Sequence, residues 1–251
     1  MVEIPKGHPR RDSLMYREKI VGGLNKGIVS KEGLMAHGRG EAFDYLLGEE
    51  SIEEALEAER AGVAALLLGR NPVISVNGNT AALAPEKLIA LGETVSAPLE
   101  VNLFYGGEGR VERIINHLKE YGARGVLGSE REDLLPIESE RAKVERDGIL
   151  KADVVLVCLE DGDRTEALKE MGKEVVAIDL NPLSRTAQKA SISITDELSR
   201  ALDNMIKMAD SMRNLSVEGL KGILGIYDNG RILSSTLKTI SKRLEELGSQ
   251  G

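Results

Sequence analysis

Two short apolar runs constrain this chain more than anything else in it: residues 153–159, DVVLVCL, and residues 174–178, EVVAI. Neither offers a polar face to water, so each reads as a strand buried on both sides. Such strands belong to parallel sheets covered by helices. The flanking pattern agrees. Pro72–Val76 reads as another strand, followed by LEVNLFY at 99–105, ARGVLG at 123–128 and a last short strand at Ser191–Ile194. Between them, Val111, Ile114, Ile115, Leu118 and Tyr121 recur at helical spacing. Ser51 with Glu54 forms a capping box before an alanine-rich helix, and Pro85 opens the next helix. Asp163 with Glu166 caps a short helix, and Asp196 starts one carrying Leu198, Ala201, Met205 and Met208. The expected fold is α/β, a mostly parallel sheet with helices on both faces. A helical, basic segment at 1–50 precedes a core at 51–211. A helical tail at 212–251 follows, with Ile232, Leu237, Ile240 and Leu244 available to dock on the core or on a second subunit.

The 41 acidic residues outnumber the 33 basic ones, for a net charge of -8. Nonspecific nucleic-acid binding needs a positive face to displace counterions, so it is disfavoured. No apolar run approaches a membrane span of about 18 residues, and the N-terminal stretch lacks a signal core, so a cytoplasmic location is expected. Cys158 is the one cysteine and lies inside VVLVC, where it reads as an inert core thiol. His8, His37 and His117 are too widely spaced for a metal motif. His117 reads as a surface residue of its helix. His37 is the histidine best placed for chemistry, two residues from Arg39 in the glycine-flanked HGRG junction.

Ligands in open α/β sheets gather beyond the carboxyl ends of strands. Two loops there have suitable composition. After VISV comes Asn77-Gly78-Asn79-Thr80, in which glycine allows close backbone approach. After EVVAI comes Asp179-Leu180-Asn181-Pro182-Leu183-Ser184-Arg185-Thr186, which pairs a strand-end carboxylate with a phosphate-capable arginine. Each is also consistent with an ordinary turn. Neither a P-loop nor a GxGxxG fingerprint is present. The stretch HPRRDSLMYRE gathers His8, Arg10, Arg11, Tyr16 and Arg17. Asp161 and Asp163 in EDGD could hold magnesium or serve as helix caps. The charged stretch SEREDLLPIESERAKVERD reads as a solvated helix or lid.

Longer phrases add a resemblance. HPR..SL..RE, GRNPVISVNGNTAALAP, EVNLFY, ESERAKV, and EDGDRTEAL followed by AIDLNPLSRTAQKA resemble the archaeal phosphopantothenate synthetase (4-phosphopantoate–beta-alanine ligase) family across nearly the whole chain. The resemblance implies a homodimeric, Rossmann-like enzyme of coenzyme A biosynthesis that uses ATP and Mg²⁺ to join 4-phosphopantoate to beta-alanine. It implies a nucleotide site of Arg17, Arg39, Asp179, Leu180, Asn181, Arg185, Thr186, Glu197 and Leu198, with Asn77, Gly78 and Asn79 in the same crevice. Arg17, Arg39, Arg185 and His37 are the catalytic candidates. Two places depart from the family pattern. Gly106-Gly107-Glu108-Gly109-Arg110 replaces a more charged loop, leaving Arg110 as its cation, and Arg11 stands where an aromatic is expected. A different nucleotide-dependent enzyme, such as a kinase, and a non-catalytic nucleotide sensor are the alternatives.

Overall fold

The computed structural model describes residues 5–8, 10–103, 107–133, 135–137 and 142–249. Its strands are β1 (Pro72–Val76), β2 (Leu99–Val101), β3 (Glu132–Asp133), β4 (Lys143–Val144), β5 (Val154–Cys158), β6 (Glu174–Ile178) and β7 (Ile192–Ile194). Five of them form one sheet in the order β2-β1-β5-β6-β7. Every neighbouring pair in it is parallel, with Leu156 opposite both Ile74 and Val176. Alternate residues leave a strand on opposite faces. Ile74, Leu156, Val176 and Ile192 therefore enter one core, while Val73, Val155, Val157 and Val175 enter another. This double burial is why the runs carry no polar alternation.

The helices are α1 (Arg11–Asn25), α2 (Lys31–Leu47), α3 (Glu53–Leu68), α4 (Gly78–Leu83), α5 (Pro85–Val95), α6 (Arg110–Glu120), α7 (Gly162–Glu170), α8 (Arg185–Lys189), α9 (Leu198–Met212), α10 (Val217–Ile226) and α11 (Asn229–Gly248). Helices α3, α5, α6 and α9 fill the first core, with Leu66, Leu91, Ile114 and Met205 fully buried. Each such side chain contributes about 1.5–3 kcal/mol through removal from water. Leu168 of α7, Ile149 and Val144 close the second core. In the tail, Leu220 and Ile232 join the first core, and Ile240 packs with Leu47, Ile52 and Leu180. Leu237 and Leu244 stay exposed.

Several local expectations are corrected. Ser51 does not cap α3. Its hydroxyl hydrogen-bonds Asp196 at 2.5 Å, and Glu54 accepts from Ser235 and Thr239 of α11. Asp161, not Asp163, caps α7, and Glu197, not Asp196, caps α9. Residues 123–128 form no strand, only a single bridge between Leu127 and Glu100. Among its described residues, the charged stretch after Ser129 supplies the antiparallel pair β3–β4, and its last two residues begin a π-helical turn at Arg146–Leu150. The HGRG junction is continuous helix within α2. His117 is buried, edge-on to Tyr121 at 5.0 Å, because it flanks the apolar stripe of α6. Pro9, Phe104, Tyr105, Gly106, Leu134 and residues 138–141 of the quoted phrases lie outside the described residues.

Strand order reverses between β1 and β5, which makes a crevice beyond their carboxyl ends. The Asn77 side-chain amide donates across it to the carbonyls of Cys158 (2.9 Å) and Leu159 (3.2 Å). Leu159 sits at φ 52°, a left-handed conformation that costs a non-glycine residue about 1–2 kcal/mol. Helices α1 and α2 lie across this end of the sheet. Asn79 donates to the Gly33 carbonyl at 2.8 Å, and Lys19 to that of Leu83 at 2.8 Å. Helix α2 passes Leu180 at Gly40, where a β-carbon would lie 3.6 Å from the Leu180 Cδ1, an ordinary contact.

Candidate functional site

A cavity of about 550 Å³ opens at this end of the sheet. The strand-end loops supply Asn79, Leu159 and Leu180 to its wall. Helix α2 supplies His37, Gly40, Glu41 and Asp44, at spacings of three, one and three that place all four on one helical face. Helix α1 adds Ser13 and Tyr16, and the start of α9 adds Glu197, Leu198, Arg200 and Asp203. A volume in this range suits a small-molecule site.

Charge in the cavity wall is closely managed. Arg200 bridges Asp44 of α2 at 2.6 Å and Asp196 at 2.5 Å, joining the N-terminal helices to α9. Burial works against its charge, but the hydrogen bond to Asp44 and the charges of Asp196 and Asp44 outweigh it and raise its pKa. Glu197 is buried, which pushes its carboxyl up, while its Oε2 accepts from the Ser199 and Arg200 amides. Burial and then the Glu197 charge push the Tyr16 phenol up, so it stays neutral. Burial raises the Glu41 carboxyl, but hydrogen bonds from Arg17, Ser13 and Tyr45 hold it below the usual glutamate value. His37 is lowered, chiefly by burial, so its imidazole is neutral at pH 7. Its Nε2 is out of water with no protein partner among the described residues.

Glu59 of α3 lies behind this wall. Burial first, and then the Asp196 charge, push its carboxyl up to about 9. The folded protein keeps this proton, whereas the unfolded chain releases it near 4.5. The stabilisation is therefore fully present below that unfolded value and is lost as pH rises towards the folded one. Glu59→Gln keeps the neutral shape and removes the titration. Its melting temperature should match wild type near pH 5 and exceed it increasingly towards pH 9, read by thermal denaturation. A constant difference across that range would contradict the assignment.

The structure brings His37, Asn79, Leu180, Glu197 and Leu198 together in the cavity wall. Arg17 stands behind it, paired with the wall residue Glu41 at 2.8 Å. Arg39 is exposed on α2, and its charge acts on Asp179. Asp179 is pushed up by burial and organises its own loop, accepting from the Ser184 hydroxyl (2.5 Å) and the Asn181 amide (2.9 Å). Thr186 donates to the Glu160 carbonyl at 2.8 Å. Gly78 packs its α-carbon against the Ile28 carbonyl, which leaves no room for a side chain. Arg185 turns from the cavity to Asp163 at 2.6 Å and Glu166 at 3.0 Å. Arg110 donates to the Ile28 carbonyl at 3.0 Å. Cys158 is buried, which pushes its thiol up, as expected of a core residue. Sequence reasoning missed Glu41, Asp44, Arg200 and Asp203. The one-face spacing of polar residues along α2 and α9 was the available signal.

Sequence comparison decides the family. A family model described as phosphopantothenate/pantothenate synthetase matches residues 54–243. The chain belongs to this family. It is 54% identical over 253 residues to the 4-phosphopantoate–beta-alanine ligase of Thermococcus kodakarensis, covering 100% of this chain and 97% of that protein. It is 53% identical over 250 residues to the protein of the same name from Methanosarcina mazei, covering 100% and 99%. With that of Methanospirillum hungatei it shares 50% over 217 residues, covering 86% and 89%. Every cavity-lining residue of this phosphopantothenate/pantothenate synthetase family member lies within the stretches matched by the first two. Among the described residues, no helix is long and apolar enough to cross a membrane.

Proposed function

We infer that this chain is an ATP-dependent ligase that condenses 4-phosphopantoate with beta-alanine, releasing 4'-phosphopantothenate, AMP and diphosphate in coenzyme A biosynthesis. The observation that carries this is end-to-end identity above half with two proteins of that name. The cavity at the strand ends supports it. A carboxylate is a poor electrophile, so the acid must first be activated. Its oxygen attacks the α-phosphorus of ATP and diphosphate leaves. The amine of beta-alanine then attacks the acyl carbon, and AMP leaves. No step needs a protein nucleophile, in keeping with a buried Cys158. What the protein supplies is alignment of three substrates and fixed charge around crowded anions.

In this reading the adenylate lies against Leu180, Glu197, Leu198 and the Asn77-Gly78-Asn79 turn. Arg17 and Arg39 reach it from α1 and α2, and Arg185 and Thr186 border it. Magnesium would arrive on the ATP phosphates, the usual mode for this ion, where it screens their charge. That fits a site in which Asp161 caps α7, Asp163 pairs with Arg185, and no cluster of three acidic, His or Cys ligands occurs among the described residues. The exposed Leu215, Val217 and Ile226 support a homodimer, expected at twice the 27.2 kDa chain mass by light scattering. The enzyme would work in the cytoplasm.

His37 takes the proton from the beta-alanine ammonium. It is neutral, lines the cavity and has an Nε2 without a protein partner among the described residues. The rate at limiting beta-alanine should then fall as pH drops below the ordinary histidine value of 6.5. His37→Gln should lower the neutral-pH rate by about 100-fold or more and flatten that acid limb. An unchanged pH profile in the variant would remove His37 from this role. The reading as a whole is tested by incubating the three substrates. 4'-Phosphopantothenate, AMP and diphosphate should form, and none when any substrate is omitted.

A further inference from the structure

We propose that Asn229, the first residue of α11, is a positioning residue for ATP. Its side-chain amide fastens the C-terminal end of α8 and so holds the loop that carries Leu180 and Thr186 in the geometry the nucleotide needs. The proposal rests on the ligase reading above and deepens it. The loop is well tied at its start. Asp179 accepts from Ser184 and Asn181, and Thr186 donates to the Glu160 carbonyl. Helix α8 itself has only five residues. A helix that short does not persist on its own propensity, and the carbonyls of its last turn have no partners within it.

Asn229 supplies those partners. Its Nδ2 donates to the Ala187 carbonyl at 3.1 Å and to the Ala190 carbonyl at 3.2 Å. Its Oδ1 accepts from the Ser193 N–H and from the Tyr227 hydroxyl, both at 2.8 Å. Both donors and both lone pairs of the amide are used. The amide fits only this way round, because a flipped oxygen would face two carbonyls. The Ser193 hydroxyl adds a second donation to Ala187. Because β7 is the last strand of the sheet, the Ser193 N–H has no strand beyond it to pair with and turns to the tail. About three turns along α11, Ile240 packs with Leu180 at the other end of the loop. The tail therefore meets the nucleotide loop at both ends. Asn229 does not line the cavity, so it acts on ATP only through α8.

The test measures ATP binding by calorimetry, without the acid so that no turnover occurs. It uses wild type, Asn229→Asp, Ser193→Ala, Tyr227→Phe and Arg39→Ala. Asn229→Asp keeps the shape and the acceptor of the side chain and removes both donations. The loop then spends more time displaced, and the apparent affinity falls with the competent fraction. ATP should bind about 5- to 50-fold more weakly to Asn229→Asp and about 3- to 10-fold more weakly to Ser193→Ala. Tyr227→Phe loosens the same junction but keeps both donations, so binding should stay within about twofold. In turnover, Asn229→Asp should raise KM for ATP and leave KM for beta-alanine within about threefold. Should Asn229→Asp not fold, Ser193→Ala decides alone. Unchanged ATP binding in both, with Arg39→Ala weakened, would overturn the proposal and leave the ligase reading standing. Equal weakening in Tyr227→Phe and Asn229→Asp would also overturn it, by making the junction a general fastener of the tail. A wild type that binds no ATP would defeat the ligase reading, and the proposal with it.

Discussion

Arg200→Ala should lower folding stability by about 3–5 kcal/mol, the range for removing one member of a buried charge pair. The substitution leaves Asp196, which is fully buried, without its cation. It also leaves Asp44 unneutralised at 2.6 Å from the vacated position. Glu59, already kept neutral by burial and by Asp196, adds to the crowding. Arg200→Lys should fall between, because one ammonium cannot fork to two carboxylates as a guanidinium does. The effect should be read by urea or thermal unfolding. A loss below about 1 kcal/mol would show that water, and not Arg200, balances these acids.

Arg17→Ala and Arg39→Ala should each cut the ATP-dependent rate by about 30- to 1000-fold, corresponding to loss of about 2–4 kcal/mol of charge stabilisation. Their folding should hardly change. The Arg17 side chain is 45% exposed and its pairing with Glu41 is a surface ion pair, worth at most about 1 kcal/mol. Arg39 is exposed as well. Separating turnover from melting temperature therefore distinguishes a role in the reaction from a role in the fold. Near-wild-type turnover in both folded variants would take the nucleotide away from this side of the cavity.

The sheet was legible in the sequence because burial on both faces leaves no choice of residue. VVLVC and EVVAI had to be apolar throughout, and they occupy the centre of the sheet as β5 and β6. Where tertiary partners decide, local pattern failed. Ser51 has the form of a cap, but its hydroxyl is drawn to Asp196, 145 residues away. Residues 123–128 have strand composition, but only Leu127 finds a bridging partner. The glycines of HGRG looked like a joint, whereas helix α2 runs through both without a break. His117 looked solvated until its helix was set against the core.

The site was legible in a different way. The two strand-end loops stand out by position, beyond the carboxyl ends of apolar strands, since Asn and Gly are common in ordinary turns. Their roles were less visible. Asp179 and Thr186 use their polar atoms to shape the loop, and Arg185 pairs with α7. The residues that give the cavity its charge, Glu41, Asp44 and Arg200, lie on helices, where an isolated charge reads as solvated surface. Only the spacing of three and four along α2 marks a polar face turned inward.

The most direct test of the central claim uses 4-phosphopantoate with ¹⁸O in its carboxylate, turned over with ATP and beta-alanine and followed by mass spectrometry. If the acid is activated on the α-phosphorus, one labelled oxygen appears in AMP for each 4'-phosphopantothenate formed, and diphosphate carries none. Label in inorganic phosphate together with ADP, or AMP released unlabelled, would contradict the account.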